Sequence, residues 1–152
     1  MIGPHIFEDR LNGDVYAKFL IDHLPSLLED VPLATRRPLI FQHDGAPPHY
    51  SKEVRQHLDK TFPNRWIGRG GPHPWPARSP DLTPLDFYLW GHMKSIVYKE
   101  KSNSKEELLR RIMEASRKIR NKPETLRKSV HSILKRAQLC TEANGGLFEH
   151  LM

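Results

Sequence analysis

The chain reads as a mixed α/β layer followed by a helical, basic C-terminal flank. Strand-like and helix-like segments alternate up to Asp86, and only helical patterns follow it. Charge divides at nearly the same place: residues 1–90 hold 10 Lys/Arg against 11 Asp/Glu, whereas residues 91–140 hold 14 against 5. Two aspartates, Asp44 and Asp86, fall where a strand stops and where a helix starts.

Taken in order, residues 2–8 suit a short opening strand. Asn12-Gly13-Asp14 then offers capping chemistry for a helix in which Tyr16, Leu20 and Leu24 recur at four-residue steps. Pro25 is expected to kink this helix, which ends near Glu29-Asp30, and residues 31–38 read as a loop. Leu39 to His43, opening with the apolar Leu39-Ile40-Phe41, suits a short strand of the buried, parallel-sheet kind, stopped at once by Gly45 and two prolines. Ser51 caps a helix with Val54, Leu58 and Phe62 on one face, and Trp66-Ile67 suits another brief strand. The glycines and prolines between Gly68 and Pro84 imply an ordered loop.

Thr83-Pro84 is a helix start, with threonine at the cap and proline in the first turn; Trp90, Met93 and Val97 follow at helical spacing from Asp86. Ser104-Lys105-Glu106-Glu107 is a capping box opening a helix with Leu108, Ile112, Ala115 and Ile119 inward. Pro123 opens a last helix carrying Leu126, Val130, Ile133 and Ala137, and the tail from Thr141 to Met152 is expected to fray.

At 152 residues the chain amounts to one domain, or one domain with an appendage, and 38% hydrophobic residues make a modest core. A single cysteine, Cys140, excludes a disulfide framework and fits a reducing compartment as a bystander. The apolar runs are too short to span a membrane, and the first residues lack a signal peptide's basic start and apolar stretch, so an intracellular, non-membrane protein is expected. The basic C-terminal half suits contact with a polyanion, in which neutralised phosphates release counterions. The surface of ordinary solvated helices is the competing explanation.

Asp44 leaves a presumed central strand at its carboxyl end, where ligands collect in open α/β sheets. Asp86 occupies the third position of its helix, counting Pro84 as the first. Two carboxylates so placed suit hard divalent ions that act on phosphodiesters. Each also has a plain explanation, turn chemistry for Asp44 beside Gly45 and helix-dipole stabilisation for Asp86 after Thr83. His43, His49 and His73 lack zinc-finger spacing, so zinc is not expected; His49 suits a proton shuttle or a group supporting Asp44. Arg78, Lys94 and Lys99 flank Asp86 and are candidates to meet phosphates, as are Arg110, Arg111, Arg117 and Lys118 further on.

His43-Asp44-Gly45-Ala46-Pro47-Pro48-His49 and Ser79-Pro80-Asp81-Leu82-Thr83-Pro84-Leu85-Asp86, with Phe87-Tyr88-Leu89-Trp90, resemble the second- and third-acid motifs of mariner-type transposase catalytic domains. The similarity in character extends over most of residues 1–120. It implies an RNase H-like mixed sheet bearing an aspartate triad of the DDD variety. Asp44 and Asp86 would be catalytic and would hold Mg²⁺ or Mn²⁺, whereas Asp81 would be structural. It also implies strand cleavage and strand transfer in DNA transposition, with DNA as partner, dimers as the working form and the nucleus as the compartment. The sequence departs from the family's pattern in leaving 41 residues between the two acids. It also shows neither the first acid, for which Asp9, Asp14, Asp22 and Asp30 stand in the wrong contexts, nor the helix-turn-helix region. The expectation is therefore a truncated catalytic domain over residues 1–100, C-terminal helices over 101–140 and a frayed tail over 141–152. Such a fragment is expected to be inactive alone. The alternative is a non-enzymatic nucleic-acid-binding module working through the basic C-terminal helices.

Overall fold

The computed structural model of the chain describes residues 1–76, 79–146 and 148. The chain forms two compact units, Ile2–Arg78 and Ser79–Met152. No helix among the described residues is long and apolar enough to cross a membrane.

The first unit opens irregularly. The strand expected over residues 2–8 does not form, because Gly3 is left-handed (φ 78°) and Pro4 carries no N–H for a ladder. Helix α1 (Gly13–Lys18) starts at Asn12, whose side chain accepts the Val15 amide at 2.9 Å. It passes through a π-helical turn, Phe19–His23, into α2 (Leu24–Leu27). The wider turn sits just before Pro25, whose ring would otherwise crowd the carbonyl four residues earlier, so the expected kink is absorbed as a π turn. Residues 31–38, expected as a loop, contain a single helical turn, α3 (Leu33–Arg36). Pro32 precedes it, and its carbonyl accepts the Thr35 and Arg36 amides.

Strand β1 (Phe41–Gln42) pairs in parallel with β2 (Trp66–Ile67), Phe41 opposite Trp66 and Gln42 opposite Ile67. The Phe41 amide donates to the Arg65 carbonyl at 2.9 Å and the His43 amide to the Ile67 carbonyl at 3.0 Å. The run is less buried than its sequence suggests, since Ile40 is 57% exposed. Arg65 steadies the approach by donating to the carbonyls of Arg37 and Leu39. Between the strands lies α4 (Lys52–Thr61), capped by Ser51, and its Val54 and Leu58 are fully buried. They join Tyr16, Ala17, Leu20, Phe62 and Trp66 in one core, with Phe7, Phe19, Leu24, Leu39 and Phe41 packed around it. The Trp66 indole N–H donates to Asp59 Oδ1 at 2.9 Å.

In the second unit a 3₁₀ turn, Pro80–Leu82, leads to a π-helical turn, Leu85–Leu89, that continues into α5 (Trp90–Val97). Helices α6 (Lys105–Arg120) and α7 (Pro123–Glu142) follow. The capping box forms: Ser104 Oγ accepts the Glu107 amide at 3.1 Å, and Glu107 Oε2 accepts the Asn103 amide at 3.1 Å. Leu89, Met93, Val97, Ala115 and Ile119 make the core, with Leu108, Ile112 and Leu126 against it, whereas Trp90 is 42% exposed. On α7 the apolar positions seen in the sequence are not the most buried ones. Val130 and Ala137 are exposed, and the buried positions are Ser129 and Arg136. The tail expected to fray falls partly outside the described residues; within them α7 runs to Glu142 and the Gly145 amide donates to the Cys140 carbonyl at 2.8 Å.

Arg136 is fully buried. Its Nε donates to the Asp81 carbonyl at 2.7 Å, and its terminal nitrogens donate to the carbonyls of Leu82 and Ser129 and to Ser132 Oγ. Its guanidinium lies 4.0 Å from the centre of the Phe87 ring. A charge removed from water is tolerated only when its donors are used, and here they are. Burial lowers the Arg136 pKa from its ordinary value, and the nearby Asp81 charge opposes that shift.

Arg136→Met leaves the Asp81 and Leu82 carbonyls without their donor and is expected to cost about 3 kcal/mol in urea unfolding. An unchanged midpoint would show that the residue anchors nothing. In the first unit, a Cβ on Gly71 would stand 2.6 Å from the Trp66 ring. Gly71→Ala is therefore expected to lower stability by about 1–3 kcal/mol, measured the same way.

Candidate metal and nucleic-acid site

Asp44 follows the last ladder bond of β1, so the strand delivers its carboxylate to the strand's carboxyl end. Gly45 and the prolines then turn the chain into a 3₁₀ turn, Pro47–Tyr50. This turn brings His49 back to the acid. One carboxylate oxygen, Oδ1, accepts both the Ala46 amide at 3.0 Å and the His49 Nδ1–H at 2.5 Å. The Asp44 side chain stays 49% exposed and the His49 side chain 18%. The carboxylate is therefore oriented from one side and open to solvent.

Behind this pair three rings cluster, with the two imidazoles stacked and Tyr16 tilted against both. His49 lies 4.3 Å from Tyr16 and 5.1 Å from His43, the two imidazoles only 7° from parallel. The Tyr16 hydroxyl meets His43 Nδ1 at 3.5 Å. Burial, with His49 adding to it, pushes the His43 pKa down to about 4 against the opposing Asp44 charge, so that ring is neutral near pH 7. Burial and the Asp44 charge raise the Tyr16 hydroxyl above its ordinary value, keeping it protonated. His43 Nε2 is buried without a partner among the described residues, and a Cβ on Gly68 would overlap the His43 ring. The sequence pointed to His49 but gave no sign that Tyr16, from a separate helix, completes the cluster.

Asp86 belongs to the second unit, exposed in the first turn of its helix. Thr83 makes the start expected of it: its carbonyl accepts the Phe87 amide at 3.0 Å and its hydroxyl the Leu85 amide at 3.3 Å. The wide π turn places Asp86 just before α5, on a segment that Arg136 holds through the carbonyls of Asp81 and Leu82. Asp81 thus serves through its backbone.

The other predicted contacts differ in their freedom. Lys94, Arg117 and Lys118 are exposed. Arg110 is 60% exposed and pairs with Glu114 at 2.7 Å. Arg111 is only 16% exposed; it donates to the carbonyls of Val97 and Glu100 and to Glu107, which spends its donors inside the unit. Arg78 lies outside the described residues. Among the described residues no group of three or more His, Cys, Asp or Glu side chains is placed to hold a metal ion.

No family model and no curated protein matches the chain. Solved structures do. The Mos1 transposase catalytic domain with raltegravir and Mg has a TM-score of 0.70 and 24% identity, covering 93% of this chain and 67% of that one. The Mos1 mariner transposase catalytic domain has a TM-score of 0.68 and 25% identity over 93% of this chain and 66% of that one. The Mos1 mariner paired-end complex with Mn has a TM-score of 0.68 and 25% identity, and 39% of its chain is covered. The present chain thus spans about two thirds of the Mos1 catalytic-domain structures. These likenesses agree with the two aspartate motifs, and the chain carries the fold of a mariner-type transposase catalytic domain.

Proposed function

We propose that the chain is a transposase-derived DDD catalytic domain contributing two acids to a metal-dependent DNA-cleaving site, and that it does not cleave DNA alone. The observation that carries this reading is Asp44, a half-exposed carboxylate set at a strand end and fixed through one oxygen by His49 and the Ala46 amide. Asp44 and Asp86 are the residues that would hold Mg²⁺ or Mn²⁺. Their chemistry fits, because Mg²⁺ is commonly bound by one or two carboxylates together with water and phosphate oxygens. When bound, such ions activate the attacking oxygen and neutralise charge on the phosphodiester.

The chain's own residues prepare that site. His49 keeps a proton on Nδ1 and directs it at Asp44, which fixes the carboxylate's orientation. The neutral His43 and protonated Tyr16 place no further charge behind it. What supports the inactivity is the motif count: two acids of a three-acid family pattern match in this sequence. DNA as the partner rests on the family likeness, with the Mos1 paired-end complex pointing the same way. A homodimer and a nuclear setting belong to the same reading.

In an NMR titration with Mn²⁺, the amides of Gly45 and Phe87 are expected to broaden first, the former response lost in Asp44→Asn and the latter in Asp86→Asn. Broadening centred elsewhere would remove the metal-site assignment. Supercoiled plasmid incubated with the chain and Mg²⁺ or Mn²⁺ is expected to stay intact; nicking that vanishes in Asp44→Asn would overturn the inactivity. A second reading, a non-enzymatic nucleic-acid-binding module, draws on the exposed Lys94, Arg117 and Lys118. DNA binding that survives Asp44→Asn and fails when Arg110, Arg117 and Lys118 are neutralised would favour it.

A further inference from the structure

The turn that follows Asp44 ends at Tyr50, and two arginines from different elements converge on its ring. Arg55 of α4 sits with its guanidinium carbon 4.6 Å from the ring centre, and Arg69 of the loop after β2 sits at 4.2 Å. The geometry around them is tight. Gly70 is left-handed (φ 75°), and a Cβ there would stand 2.9 Å from Tyr50 Cε2 and 3.1 Å from Arg55 Cδ. The loop is therefore pressed onto the ring. A Cβ on Gly45 would meet Arg69 Cβ at 3.7 Å and Cδ at 3.8 Å, so the Arg69 side chain runs alongside the residue next to Asp44.

Two cations are thus gathered on one ring, and although Glu53 and Asp59 share the helix of Arg55, neither arginine forms a salt bridge among the described residues. Arg55 Nε is buried and has no hydrogen-bond partner among the described residues. Tyr50 itself is 37% exposed and Arg69 is exposed, which leaves the cluster facing solvent.

We propose that Arg55 and Arg69, aligned on the Tyr50 ring, form a subsite for the phosphodiester backbone of DNA beside Asp44. The deduction rests on the DNA reading above and adds the residues that would seat the strand there. Planar guanidinium forks match phosphate oxygens, and stacking on an aromatic ring fixes the direction in which each fork points. With the guanidiniums against its ring, Tyr50 serves to hold them and not to stack on a base. The subsite therefore positions the strand without reading sequence.

The test is fluorescence anisotropy of the full chain with short labelled duplexes of unrelated sequence, across a salt series. Arg55→Gln and Arg69→Gln should each reduce the slope of log affinity against log salt by about 1, equally for every sequence. Arg69→Lys should keep the slope and lose affinity. Tyr50→Phe should behave as the parent, whereas Tyr50→Leu should bind more weakly at an unchanged slope. Lys60→Gln, an exposed cation on the same helix, should change the slope least, and thermal melts of each variant confirm folding. DNA binding with parental slopes in Arg55→Gln and Arg69→Gln would overturn the subsite while leaving the DNA reading intact. Absence of duplex binding at low salt would overturn both. Displacement of the duplex by inorganic phosphate at matched ionic strength would mark a free-phosphate site and also overturn the proposal.

Discussion

A buried guanidinium organises the part of the chain that carries Asp86. Arg136 reaches from the last helix to the carbonyls of Asp81 and Leu82 and lies on the Phe87 ring. In the Ser79–Phe87 stretch the amides of Leu82, Thr83 and Phe87 meet the carbonyls of Ser79, Pro80 and Thr83, and Arg136 supplies donors to those of Asp81 and Leu82. The cost of taking a charge out of water is offset because several acceptors and an aromatic face meet it together. Without that anchor, the π-helical turn bearing Asp86 would keep only the Thr83 cap to define its start.

The first unit solves the matching problem for Asp44 by a different route. Here a strand end supplies position, and aromatic packing supplies orientation. The parallel pairing of β1 with β2 fixes His43 and hence the residue after it. His43 and His49 stack, with Tyr16 packed at a tilt against them, so that one imidazole donates to the carboxylate while the other is held neutral by burial. Gly68 is part of this device, since any side chain there would displace the His43 ring.

Local pattern made much of this legible. Apolar spacing located α4 and α6, side-chain capping chemistry located the starts at Asn12, Ser51 and Ser104, and the two aspartate motifs located the acids. The departures come from local backbone chemistry at residues 2–8 and from distant partners elsewhere. Residues 2–8 look strand-like until Gly3 and Pro4 are seen to prevent a ladder. Apolar spacing does not reveal the buried positions of α7, because Arg136 counts as polar in any periodicity argument, yet carbonyls from the Pro80–Leu82 turn make it the most buried position on the helix. Tyr16 was legible as a core residue, but its place behind His43 depends on how α1 packs, which sequence spacing does not encode.

The same distinction governs how basic charge should be interpreted in this chain. A net charge of +6 invites a single explanation, attraction to a polyanion, but the arginines divide by what meets their donors. Arg136 and Arg111 spend theirs on carbonyls and carboxylates inside the second unit, where they act as cross-links. Arg55 and Arg69 present theirs from a shared aromatic ring beside Asp44, where a phosphate is the chemical complement. Lys94, Arg117 and Lys118 contribute exposed charge without that fixed geometry. Counting cations along the sequence therefore places the electrostatic emphasis on the C-terminal helices, whereas the geometry that can fix a phosphate stands in the first unit, on a segment whose local charge balance looks unremarkable until Tyr50 brings the two arginines together.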